Sequence, residues 1–123
     1  MSDKHDEDVN SVGSALIATY VILVRVCARL PLPIALPSGP LLDSTELIPA
    51  VTRLTDLLEE QPAPEDLKTE VFTAALSWLA AGKLFSRFLD RPDDRTAKPE
   101  IELILVKAAE SLANAAALLV EEK

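Results

Sequence analysis

The sequence predicts an all-α fold, a single-domain four-helix bundle with a long apolar connection between its first two helices. Two observations carry that prediction. Apolar residues recur at three- and four-residue spacing through long segments separated by proline-rich or polar breaks. Hydrophobic residues make up 49 % of the 123 positions but aromatic residues only 4 %, so the core is aliphatic and alanine-rich, which favours helices over strands. A chain of this length suits one domain with a sizeable core. The expected organisation is a disordered acidic tail over residues 1–8 and one helical domain over 9–123.

The first helix is expected from near Val9 to Leu30. At about 100° per residue, Ser14, Ala18, Arg25 and Arg29 fall in one narrow strip. Val12, Leu16, Ile17, Val21, Ile22, Leu23, Val24 and Val26 occupy most of the remaining circumference. A polar strip so thin implies enclosure on most sides, by the chain's own domain or by a second copy. The β-branched content leaves a strand as the alternative, and the length without a turn signal decides for helix.

Pro31 and Pro33 end that helix, because proline is excluded from a helix interior and restricts the residue before it. The stretch LPLPIALPSGPLL, residues 30–42, carries no charge although connections usually run over the surface and are polar. Its side chains Leu32, Ile34, Leu36, Leu41 and Leu42 are expected to cap an open end of the bundle. It matches no RxxPxxP spacing, so it is not read as an SH3-type ligand. Its length exceeds the 2 to 8 residues typical of bundle connections, and so suits helices that are not antiparallel neighbours.

The second helix is expected to start with Asp43 and Glu46 as a capping box. Its core stripe is Leu47, Val51, Leu54 and Leu58, with Pro49 detaching or kinking the first turn. Pro64 opens a third helix to Asp90, with Leu67, Val71, Ala74, Ala75, Trp78, Gly82, Phe85 and Leu89 on one stripe. Leu84 and Phe88 fall on the opposite side, and Gly82 is expected to permit a close helix approach. Pro99 opens the fourth helix. There Ile101, Leu105, Ala108, Leu112, Ala115, Ala116 and Leu119 form the buried face, and Lys107, Glu110, Asn114 and Glu121 the wet one.

Twelve basic residues against twenty acidic ones give a net charge of −8, the wrong sign for neutralising phosphates, so no nucleic-acid partner is expected. His5 is the only histidine and Cys27 the only cysteine. They leave no histidine-based triad, no zinc ligand set and no Glu-x-x-His pairs for a di-iron site. Gly13, Gly39 and Gly82 are too dispersed for a phosphate loop. The acidic groups Glu59, Glu60, Glu65, Asp66 and Asp90, Asp93, Asp94 lie at helix termini, where they are solvated. No catalytic residue, metal or cofactor is expected.

Cys27 reads as a small buried hydrophobe, and a single thiol fits a reducing, cytoplasmic compartment. Residues 9–24 carry no charge, but Arg25 and Arg29 interrupt them short of the roughly 20 apolar residues of a span. A buried helix is the expectation, and a membrane anchor the alternative.

These observations point to a non-enzymatic adaptor or structural protein that acts through helix–helix contacts and associates with itself, most simply as a homodimer. The candidate interface comprises Trp78, Leu84, Phe85, Phe88 and Leu89, with Ile34 and Leu36 from the connection. Two alternatives belong to other classes: an acidic inhibitor or antitoxin-like protein occupying a basic site, and a membrane-anchored accessory protein held by residues 9–30.

Overall fold

The computed structural model describes residues 2–38 and 44–121. They form four helices, α1 Ser2–Ala28, α2 Ser44–Leu57, α3 Glu65–Asp90 and α4 Ala97–Glu121, with one 3₁₀ turn at Leu58–Glu60. No strand occurs among the described residues. The all-α, four-helix expectation holds.

The directions of the helices follow from a few side-chain contacts. His5 meets Phe88 edge-on with ring centroids 4.9 Å apart, and the Trp78 indole N–H donates to the Leu16 carbonyl at 2.9 Å. Rising numbers on α1 thus meet falling numbers on α3, so the two run antiparallel. Asn114 donates to Glu70 at 3.0 Å, which makes α3 and α4 antiparallel as well. Lys98 lies 4.0 Å from Asp8, so α1 and α4 start at the same end and run parallel. Helix α3 is the centre of the bundle, packing on α1, α4 and α2. Its closest-fitting partner is α4, where Ala108 and Ala115 are fully buried and small side chains let the axes approach.

The long connection is packed in part: Leu36 is buried and Ile34 half-buried, whereas Leu32, also expected to cap the bundle, is 55 % exposed. Ile34 N–H and Leu30 N–H donate to the Cys27 carbonyl at 3.0 and 3.3 Å, satisfying a carbonyl that the end of α1 would otherwise leave open. Leu36 is 7 % exposed, and the Tyr20 hydroxyl donates to the Pro37 carbonyl at 2.6 Å. Residue 37 therefore lies beside a residue about two turns back along α1, so the chain descends before α2 begins. This is a crossover between helices that are not antiparallel neighbours. Leu41, Leu42 and the Asp43 cap lie outside the described residues.

Three boundaries differ from the sequence expectation. Residues 2–8, expected as a disordered tail, are the first turns of α1. Lys4 pairs with Asp8 at 3.5 Å, one turn on, and Asp8 reaches Lys98 on α4, so contacts from other elements fix a segment that has no apolar period of its own. Helix α2 continues through Pro49, which forfeits one ladder hydrogen bond while buried Leu47, Val51, Leu54 and Leu58 hold the helix in place. Helix α4 begins at Ala97 rather than Pro99. Asp94 accepts from the Thr96 hydroxyl and amide at 3.0 and 3.1 Å just ahead of it, a local turn that sets the entry.

The close approach expected at Gly82 is found at Gly13 instead. A Cβ built on Gly13 would lie 3.4 Å from the Phe85 ring, whereas one on Gly82 meets nothing within 4 Å.

Candidate interaction surface

The seven residues expected at an interface do not form one surface. Trp78 is 5 % exposed, its N–H spent on Leu16 and its ring 5.4 Å from that of Tyr20. Phe88, at 3 %, and Leu36 are core residues too. Leu84, Phe85 and Ile34 are half-buried against that core. Only Leu89 is largely open, at 48 %. The reason is the extra length of α1. Its first turns place His5 over Phe88, on a side of α3 that an α1 beginning at Val9 would leave uncovered. Leu89 lies near the end of α3, beyond the reach of the short α2.

Much of the exposed apolar surface lies on α1 and α4, the rest among the described residues being Leu32, Leu57, Phe72, Leu76 and Leu89. Ile17, Val21 and Ile22 of α1 are 62, 40 and 41 % exposed, and Leu103, Val106 and Val120 of α4 are 72, 55 and 60 %. Ala18, Ala109, Ala113 and Ala117 between them are also exposed. On α1 the side toward α4 is marked by Asp8; Ala18, Ile22 and Arg25 follow it on that side and outward. On α4 the side toward α1 is marked by Lys98, and Ala109, Ala113, Val106 and Val120 follow outward from it. Because the two helices are adjacent and parallel, Ala18 and Ile22 of α1 adjoin Ala109, Ala113 and Val106 of α4 on the bundle's outer wall, a mixed face in which Ser14, Arg25, Glu102 and Glu110 are also exposed; Ile17 and Leu103 lie on its two outer flanks.

Sequence reading missed the α4 half of this face. The signal is present: Leu103, Val106, Ala113, Ala117 and Val120 recur at helical spacing on the side opposite the Ile101 stripe. Helix α4 is apolar on two sides, and only the position of α3 decides which becomes core.

The charges on the face are unevenly placed. At the shared start of α1 and α4, Lys4, Asp8, Lys98 and Glu102 pair among themselves. Glu7 is exposed beside them, and Arg25 and Arg29 are exposed at the other end of α1. None of these three is in an ion pair among the described residues.

A second, smaller apolar region lies between α2 and α3, where Phe72 at 41 % exposure lines an open groove with Thr55, Leu58 and Lys68. Among the described residues no three His, Cys, Asp or Glu side chains cluster as a metal site requires. Cys27 is fully buried, and burial pushes its thiol up to about 12, so it carries little thiolate at neutral pH.

No protein-family model, curated protein or solved structure matches the chain.

Proposed function

We propose that this chain is a non-enzymatic helical interaction protein that associates with itself through the outer face of α1 and α4. The observation that supports this most strongly is the exposure of Ile22 at 41 % and Val106 at 55 %, beside the exposed alanines Ala18, Ala109 and Ala113 on the adjoining sides of α1 and α4. Soluble monomers seldom present large contiguous apolar patches, and those that occur mark interaction sites. Two-fold pairing is the commonest closed arrangement for soluble homo-oligomers. The face carries neither a nucleophile with a base nor a cluster of acids, so its chemistry is adhesion.

Sedimentation equilibrium over roughly 1 to 100 µM tests the reading. A mass rising to twice 13.3 kDa supports it, and 13.3 kDa throughout contradicts it.

One observation favours a second reading. Lys4–Ala28 and Ala97–Val120 are each long and apolar enough to cross a membrane, and the same face would then meet lipid. Flotation with anionic vesicles, with no association in plain buffer, would select that reading over the first.

A further inference from the structure

Resting on the self-association reading, we propose that the partner is a second copy held antiparallel, the α1 of one protomer crossing the α1 of the other near Ala18. Charge complementarity along α1 carries the proposal. Glu7 and Arg25 lie about five turns apart on the same side of the helix, with Ser14 and Ala18 between them and Ile22 beside. The outward side of α1 is thus acidic at one end, lined by small side chains in the middle, and basic at the other.

A parallel α1 pair would stack Glu7 on Glu7 and Arg25 on Arg25. An antiparallel pair places each Glu7 against Arg25 and Arg29 of the other copy and brings the two Ala18 residues together on the two-fold axis. In an isologous interface each such contact occurs twice, so a weak surface attraction is doubled.

Area decides whether α1 suffices alone. A face about 27 Å long and about 10 Å wide, set by helix rise and diameter, covers on the order of 500 Å² over two copies. Stable interfaces bury roughly 1,000 Å² or more. The adjoining α4 strip, with Val106 and Ala113, brings the face to that size. The small residues Ser14 and Ala18 at the crossing keep the helix axes near the low end of their usual separation.

The experiment combines a cross-link with a charge swap, each read beside the mass of the unmodified protein. Ala18→Cys, mildly oxidised, is expected to form a covalent dimer, since Cα atoms on a close two-fold axis fall within disulfide reach. Leu103→Cys, off the axis, is expected not to, and the buried native Cys27 adds no background. Glu7→Arg alone and Arg25→Glu with Arg29→Glu are each expected to weaken dimerisation about tenfold, the scale of two unfavourable exposed pairs. The triple variant should recover affinity to within about threefold. A dimer in which Ala18→Cys does not cross-link, or in which the triple variant is no better than its parents, overturns the antiparallel geometry while self-association stands. A monomer at every concentration overturns both.

Discussion

The Gln61 side chain holds both backbone groups of Leu32: its amide N–H donates to the Leu32 carbonyl at 2.6 Å, and its carbonyl accepts from the Leu32 N–H at 3.0 Å. Gln61 follows α2 and Leu32 follows α1, so this paired contact fixes the ends of the two helices together. It does for one residue what a strand neighbour would do. Gln61 is 5 % exposed, and its amide has both a donor and an acceptor satisfied there.

Gln61→Ala removes both hydrogen bonds and leaves the Leu32 backbone to compete for water. The expected cost is about 2 kcal/mol, at roughly 1 kcal/mol for each bond. Urea denaturation checks it. Gln61→Glu keeps the acceptor but loses the donor and brings in a charge, so it should be no milder than Gln61→Ala.

Gly82→Ala should stabilise the protein by about 0.5–1 kcal/mol. Gly82 is inside α3 and buried, yet a Cβ there meets nothing within 4 Å, so the helix propensity of alanine is gained without a clash. Gly13→Ala should gain less, because its Cβ would press on the Phe85 ring. Thermal melts of the two variants beside the unmodified protein distinguish the positions.

Phe88→Ala should cost about 3–5 kcal/mol, the usual range for emptying a buried aromatic site. It should also loosen the first turns of α1, whose His5 ring loses its partner. The change acts on folding rather than on association, because Phe88 is core. Circular dichroism under denaturant, with hydrogen exchange at residues 4–12, reads both effects.

Stability should be independent of Cys27 ionisation up to about pH 9 and fall above it. The thiol is held up to about 12 in the folded chain against an ordinary value of 9.0. Below pH 9 the folded and unfolded states bear the same proton. Between about 9 and 12 only the unfolded state loses it, which favours unfolding. Tyr20 is also raised, by burial and then by its neighbour Cys27, and adds to the same loss. Cys27→Ala should make the alkaline decline of the denaturation midpoint shallower without abolishing it.

What was legible in the sequence was whatever rests on local period and local breaks. The four segments, the buried stripe from Val51 to Leu58, the packed Leu36 and the burial of Cys27 all follow from spacing and composition. The first turns of α1 were not legible, because Asp6, Glu7 and Asp8 carry no apolar period. Their order comes from Phe88 and Lys98, distant residues that sequence spacing does not bring together. The burial of Phe88 within the chain was not legible for the same reason. A side chain on the outer side of an isolated α3 wheel becomes core once another helix extends over it. On α4 the difficulty was reversed: two apolar stripes were present, and composition alone does not rank them.

The most direct test of the central claim, that copies of the chain meet through the outer face of α1 and α4, is the solution mass of an Ile22→Asp, Val106→Asp variant. Both side chains are exposed, at 41 and 55 %, so the substitutions should leave the fold intact, as judged by unchanged helicity. Light scattering coupled to size exclusion at about 20 µM should give a dimer for the unmodified protein and 13.3 kDa for the variant, because two buried carboxylates per protomer oppose assembly. A variant that remains dimeric, or an unmodified protein that elutes as a monomer, would contradict the claim.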